Sequence, residues 1–596
     1  MPERRWTTDR SREQGVALVS ALIMMAVLMA ILAAYTTLTL SGVRSGKYSL
    51  ATQQGFYAAE GGLNLRAEQV RAKFTGYLRP TGLGPSSAAP CSAGDPGSGD
   101  MRCVMYTIGQ RRVYTYVRDI TKYAGSDPES GTVAPGDVYA GLNYQQYAYR
   151  VYSAAYNAAT NEREASLYMD FQSRLVPLFQ FAAFYQGDLE FHPGPPMTLN
   201  GRVHTNGDLF LNAGNTLSVT GKTTASGSIY RFGKDGRPCA GSVSFSGIEM
   251  PCVNGSSTDL SADKVTGPLL APFDRNVLDQ QQVLTTPGMA SLRPDPLSVL
   301  WMQADVRVVA DPGAAPMFTV RRADRSLDTQ ATNRLNSCNA VKASSLYDGR
   351  EQKTITLMQV DQQKLMDCIS GGGFTAPNGS VLKIDDESGG GMVWNFSFTD
   401  ADPAKAALIN GGEPYPTAYG VEIVNAARLG PSSGSDALGG LTIVSNQQVY
   451  LRGDYNALAK KPSAVLADAI NVLSSAADEP ITGNKSTGQA APTTVNAAFL
   501  SGIDVTTSSN YNGGLQNYIR FHESWSGVRM TYRGSFVSLG QSLHTVGRQA
   551  GAGIVNYYDP PDRDWGYDTD FNNASNLPPL TPRFVYLRQL LFARSW

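Results

Sequence analysis

From Val16 to Ala34 the chain has nineteen positions and one polar residue, Ser20, and no charged residue occurs from Gly15 to Val43. Wound as a helix, such a run is long enough to cross the roughly 30 Å hydrocarbon core of a bilayer. Beyond it the pattern changes character rather than ending. Phe56, Ala59, Leu63, Ala67, Val70 and Phe74 recur at spacings of three and four, while Glu60, Asn64, Glu68, Arg71 and Lys73 take other faces. No proline interrupts residues 16–79. The spacing therefore predicts one continuous helix over 16–74, ~90 Å long, apolar in its first half and amphipathic in its second, stopped by Gly76 and Pro80.

After a stretch rich in Pro, Gly and Ser, residues 75–99, the period shortens to two. Val104–Val117, Tyr147–Tyr156 and Glu164–Arg174 alternate in part between aromatic or apolar and polar positions, with 157–163 as a turn. This predicts an antiparallel sheet whose apolar face packs on the amphipathic half of the helix. Further on, Gly201, Gly207 and Leu209 recur as Gly221, Gly227 and Ile229, a repeat of 20 residues. That is the length of a solenoid rung, with Val203, Leu209, Leu211, Leu217 and Val219 stacking inward. Two copies cannot bury a core, so more rungs are expected from Leu441–Leu451, Ala464–Leu473, Val495–Ile503 and Met530–Leu539. The alternative is a β-sandwich or two separate sheets.

The start of the chain adds a processing signal. Arg4, Arg5, Arg10 and Arg12 precede Gly15, so the small residue lies before the apolar run. A secretory signal places it after, where Leu32-Ala33-Ala34 would serve. Gln14-Gly15-Val16-Ala17-Leu18-Val19, followed by Phe56-Tyr57-Ala58-Ala59-Glu60-Gly61-Gly62-Leu63, resembles the N-terminal region of PilX-type minor type IV pilins. The resemblance implies cleavage between Gly15 and Val16 by prepilin peptidase. It also implies an inner-membrane, single-pass precursor, passage into the periplasm, and assembly with other pilins and minor pilins in a cell-surface pilus. Ordinary major pilins carry a glutamate at the fifth mature position, where this chain has Ser20. A carboxylate in lipid is costly unless paired, so Ser20 points to a subunit with no neighbour above it, at or near the tip.

Scattered motifs in the second half, Ser445–Asn456, Ala464–Ser474, Trp525-Ser526-Gly527 and Tyr532-Arg533-Gly534-Ser535, resemble large pilus assembly proteins, among them competence pilins with an inserted β-solenoid. The expected fold class is thus an α+β pilin module, a long N-terminal helix plus an antiparallel sheet, carrying a large mostly-β insertion built as a β-solenoid. The expected organisation is a leader (1–15), the long helix (16–74), an antiparallel β head (75–185) and first rungs (186–230). A mixed insertion with two disulfides (231–438) and further rungs with the C-terminal region (439–596) follow. The function this implies is pilus assembly and capture of extracellular DNA for natural transformation. An adhesin or envelope-structural pilin that binds surfaces or glycans is the alternative.

Composition agrees with an exported, turn-rich β protein: 60 Gly and 33 Pro, with 17% charged residues. A net charge of −1 gives no global basic field for nucleic acid, so any contact must be local. The six cysteines form three near pairs, Cys91 with Cys103, Cys239 with Cys252 and Cys338 with Cys368, which read as disulfides of an oxidising compartment. The absence of Cys-x-x-Cys and a total of four histidines argue against structural zinc on these cysteines.

Catalytic and cofactor motifs are missing: no phosphate-binding glycine loop, His-Glu-x-x-His or EF-hand loop occurs. Gly430-Pro431-Ser432-Ser433-Gly434 matches the letters of a nucleophile elbow in a loop context. No enzyme activity, cofactor or firm metal site is expected. Asp559, Asp562, Asp564, Asp568 and Asp570 form the densest acidic run, with Asp562, Asp564 and Asp568 the weak calcium candidate. His204 and nearby His192 read as surface or ladder residues. For double-stranded DNA the cation pairs are Arg111-Arg112, Arg321-Arg322 and Lys460-Lys461. Arg452, Lys460 and Lys461 with Tyr450 and Tyr455, expected on one solenoid face, are the favoured set, because phosphates need cations and aromatics stack on bases.

Overall fold

The computed structural model describes residues 13–594 apart from 76–79, 87–90, 92–94, 122–128, 138, 246, 253–298, 377–379, 385–389, 400–415, 434–435, 478–487, 508–512 and 548–557. The arginine-bearing leader ahead of Glu13 lies outside the described residues, as does the side chain of Phe74. A long N-terminal helix is followed by a large, mostly-β region.

Helix α1 spans Glu13–Thr75, 63 residues and so ~95 Å. Every residue from Val16 to Leu50 is exposed, and among the described residues this is the one helix long and apolar enough to cross a membrane. The second half behaves as its spacing predicts. Ala59, Leu63, Ala67 and Val70 are buried and Phe56 packs beside them. Arg66 reaches the backbone oxygen of Arg102 at 2.9 Å, pinning the loop that follows the helix.

That half of α1 lies on an antiparallel sheet. Strands β1 (Val104–Ile108), β2 (Arg111–Asp119), β3 (Glu129–Thr132), β4 (Asn143–Asn157) and β5 (Arg163–Pro177) come first in the chain. The order is β1-β2-β4-β5, with β3 on β4, and the far edge of β5 is paired by the last strand of the chain, Arg583–Arg594. The expected C-terminal region, 439–596, includes that closing strand without naming a partner for it. It belongs to the first sheet, because a strand's own pattern does not name its partner.

The described strands between β5 and the closing strand form a second, mostly parallel set. Ala183–Tyr185, Val203–Thr205 and Thr223–Ala225 pair in register, 20 residues apart. Leu189–Phe191, Leu209–Leu211 and Ile229–Tyr230 do the same, so that Leu189, Leu209 and Ile229 stack in the core. Met197–Leu199, Thr216–Val219 and Ser242–Phe245 form the third ladder. The repeated glycines have a physical cause. Asp188 Oδ1 accepts the Asp208 N–H at 2.8 Å and Asp208 Oδ1 accepts the Ser228 N–H at 2.7 Å. A Cβ at Gly207 or Gly227 would come within 2.4 Å or 2.2 Å of those same carboxylate oxygens.

The later segments extend this set. Val306–Ala310, Met392–Phe398, Leu441–Ser445, Ser463–Ala467, Thr493–Ser501 and Arg529–Ser538 pair in parallel sequence, and Arg529–Ser538 then pairs Ala183–Tyr185. A neighbouring sheet carries Lys353–Asp361, Tyr419–Val424, Gln448–Arg452, Ile470–Leu473 and Ile519–Phe521, also parallel. The sheets are open, with edges at both ends. The structure pairs Cys91–Cys103, Cys239–Cys252 and Cys338–Cys368. The last of these joins helices Thr329–Cys338 and Gln362–Ser370, each N-capped by an aspartate, Asp328 or Asp361.

Candidate nucleic-acid interface

The first sheet has two faces of opposite chemistry, and period-two alternation assigns them. On β2, Val113, Thr115 and Val117 are fully buried towards α1, which sends Arg112, Tyr114, Tyr116 and Arg118 to the other side. On β4, Val151, Ser153 and Ala155 face the helix while Arg150, Tyr152, Ala154 and Tyr156 face away. On β5, Ala165, Leu167 and Met169 face inward, and Ser166, Tyr168 and Asp170 outward.

Register then lines the outer side chains up. Tyr116 lies opposite Tyr152, and Tyr152 opposite Tyr168, a three-strand tyrosine ladder. The Tyr116 and Tyr152 rings are stacked with centroids 4.6 Å apart, and the Tyr168 ring follows at 6.0 Å. Tyr114 meets Tyr156 edge to face at 5.7 Å. The Arg118 guanidinium lies 5.6 Å and 5.4 Å from the Tyr116 and Tyr152 ring centres, and Arg150 lies 4.6 Å from that of Tyr168. Arg150 also grips Asp170 in a bidentate pair at 2.5 Å and 2.7 Å, which raises its pKa and keeps it charged. The outer positions just named hold three half-buried arginines, Arg112, Arg118 and Arg150, and one buried carboxylate, Asp170. Flat rings held in a row, with cations among them, provide stacking surfaces for bases and partners for phosphates.

The set favoured from sequence is arranged differently. Tyr450 and Tyr455 are buried; their hydroxyls bond Asp348 at 2.7 Å and Ser463 at 2.9 Å, so neither presents a ring to a ligand. Arg452 pairs with the buried Glu422 at 2.7 Å. Lys460 is held by Asp568 at 3.0 Å and Asp570 at 2.6 Å, and Lys461 by Asp436 at 3.3 Å. The expected DNA patch is therefore corrected: its aromatics belong to the core, and each of its cations has a carboxylate of its own. Of the other cation pairs, Arg111 bonds Glu164 at 2.8 Å, and Arg322 lies 3.6 Å from Asp328.

The calcium candidate is corrected likewise. Asp564 pairs with Arg533 at 2.8 Å, Asp568 with Lys460, and Asp562 sits exposed at the start of a strand. Asp564 and Asp568 serve different partners, and the three carboxylates do not form a cluster. Ser432 of the elbow-like loop donates to Asp367 at 2.7 Å, and Gly434 lies outside the described residues. His204 is fully buried between Thr224 (2.7 Å) and Asn206 (3.0 Å), a ladder position rather than a surface one. The tyrosine ladder itself was the miss. Its signal is in the sequence, in the alternating tyrosines of Tyr114-Thr115-Tyr116 and Tyr152-Ser153-Ala154-Ala155-Tyr156, but which face they take appears only once Val113 and Val151 are seated under α1.

The fold defines a class of chain in which one apolar, membrane-length helix carries a large β head. No protein-family model matches the sequence, and no curated protein matches it either. Among solved structures the chain is similar to the competence-associated pilin ComZ from Thermus thermophilus, at 13% identity and a TM-score of 0.29, over 91% of this chain and 97% of that one.

Proposed function

We propose that this chain is a large, non-enzymatic minor pilin of the PilX type that acts at or near the tip of a type IV pilus and captures extracellular DNA. One observation carries the reading: α1 covers one face of the first sheet with its second half, leaves its apolar first half bare, and the other face of the same sheet carries the tyrosine and arginine ladder. The bare half serves as the membrane span of a single-pass inner-membrane precursor. After cleavage before Val16 by prepilin peptidase it packs among other pilins, while the head passes to the periplasm and cell surface. Ser20, with no carboxylate to pair with a neighbour, supports the tip position. The twenty-residue ladders support a short β-solenoid inserted between β5 and the closing strand.

The test uses the purified full-length chain in detergent, with fluorescent duplex and single-stranded DNA. Binding is expected without sequence preference and with steep salt dependence, and a single strand is expected to gain stacking worth ~1–3 kcal/mol per base. Tyr152→Ala should lower single-strand affinity by about that amount, and Arg118→Gln should reduce the salt slope by about one unit. No binding at low salt, with retention on a glycan array, would replace DNA capture by the adhesin reading. Unchanged affinity in both variants would remove this face.

A further inference from the structure

We infer that Glu190, His192 and Asp235 form a binding site for a divalent transition metal, zinc by its ligand chemistry. One potential ligand atom from each residue lies within 4.8 Å of the other two. The arrangement follows from the rung. In Leu189–Phe191, Leu189 and Phe191 point into the core, so Glu190 and His192, two positions apart, share the opposite side. The turn after Ile229–Tyr230 folds back over them and supplies Asp235. Gly233 makes this approach possible. A Cβ there would sit 2.6 Å from Asp235 Oδ1 and 3.5 Å from His192 Nδ1, which places both atoms on one side of the turn.

The neighbours of the cluster fix its charge. Lys234 Nζ is taken up by Asp188 at 2.8 Å, and Arg237 binds Asp235 Oδ2 at 2.7 Å. Glu190 is almost fully buried, accepts the Lys234 N–H at 3.3 Å, and faces a second carboxylate. Two carboxylates close together out of water repel, and a divalent cation relieves that repulsion at both.

An imidazole beside two carboxylates disfavours calcium and magnesium, which take oxygen ligands, and suits zinc, whose tetrahedral shell accepts His nitrogen and Asp or Glu oxygen. Three protein ligands leave one position for water. A partly open cavity of about 90 Å³ reaches Glu190 between Asp188, Lys234 and Thr506. The metal would fasten the 231–238 turn to the strand Leu189–Phe191, two repeats earlier, just before Cys239–Cys252 closes the next loop.

The experiment takes the full-length chain in detergent, stripped by chelator and dialysed. Zinc titration against a chromophoric competitor should show one site per chain, and cobalt(II) should give the visible d–d absorption of a tetrahedral nitrogen and oxygen site. His192→Ala and Asp235→Asn should each weaken zinc at least tenfold, while Glu249→Gln, on an exposed strand of the same body, should leave it unchanged. An unchanged urea midpoint by tryptophan fluorescence shows that the variants still fold. Absence of stoichiometric zinc and of the cobalt spectrum in the wild-type chain would overturn the site whatever the variants do. Equal affinity in His192→Ala and the wild type would overturn the ligand assignment.

Discussion

Gly61 and Gly62 are neighbours on one helix and should respond to the same substitution in opposite ways. A Cβ added at Gly61 meets only Ile108 Cδ1, at 3.3 Å. At Gly62 it would lie 2.5 Å from Val113 Cγ1, 2.9 Å from Ser153 Oγ and 3.2 Å from Thr115 Cγ2, three buried side chains of β2 and β4. Each Gly→Ala change gains about 1 kcal/mol of helix propensity. At Gly61 that gain is kept. At Gly62 it is set against an overpacking cost of about 1–3 kcal/mol, since Val113 and Thr115 have no room behind them. The two variants should therefore differ by about 1–3 kcal/mol in helix-on-sheet stability, or ~5- to 150-fold in a local opening equilibrium. Hydrogen exchange of the Val113–Val117 amides, followed by mass spectrometry where exchange tracks opening, measures that ratio directly. Gly62→Ala should exchange faster than wild type and Gly61→Ala as slowly or more slowly. Equal protection in the two variants would show that α1 does not approach the sheet as closely as the structure has it.

Three further outcomes are expected. Gly15→Val should leave an uncleaved precursor by intact-mass spectrometry, and a mature N-terminus at Tyr35 in the wild type would restore a secretory reading. His204 is buried and its pKa falls from 6.5 to about 4 through desolvation, so it stays neutral in the folded chain while the unfolded chain protonates. Its contribution to stability is complete above pH 6.5 and is lost as pH falls towards 4, a total of about 3 kcal/mol. His204→Gln should flatten that part of a denaturation profile, and an unchanged slope would refute the burial argument. Replacing both Cys338 and Cys368 by Ala opens a loop of 30 residues and should cost ~3–4 kcal/mol in the chain-entropy model, read as a lower urea midpoint by tryptophan fluorescence. An unmoved midpoint would mean the two capping helices hold without it.

Local pattern made much of the fold legible. The helix could be placed because its apolar spacing runs unbroken past the lipid-sized span, and Leu209 could be matched to Ile229 because the motif repeats every 20 residues. What failed depended on contacts between distant residues. Arg583–Arg594 completes the first sheet by pairing with β5, roughly four hundred positions earlier, and nothing in its own letters says so. Tyr450 and Lys460 looked like a ligand patch because neighbours in sequence were read as neighbours in function. Asp348 and Asp568, each about a hundred residues away, satisfy them instead. The Glu190, His192 and Asp235 cluster was hidden for the same reason, since Asp235 lies more than forty residues further along the chain.

The topology also separates two tasks that one sheet must share. Residues that seat α1, such as Val113, Val151 and Leu167, alternate one by one with residues that face outward, such as Arg112, Tyr152 and Tyr168. Because the two sets alternate over these stretches, a substitution on the outer face leaves the helix-facing side chains in place. The inserted body is attached through β5 on entry and the closing strand on exit, which are themselves paired. It is therefore carried by the sheet as a unit, and the two links lie together at one edge of that sheet. A variant that shortens the inserted body by one twenty-residue rung, Val203 to Lys222, brings Thr223–Ala225 onto Ala183–Tyr185 in the register Val203–Thr205 now occupies. Such a chain should still seat α1 and retain the tyrosine ladder. Loss of both in the shortened chain would mean that the first sheet depends on the inserted body for its own folding.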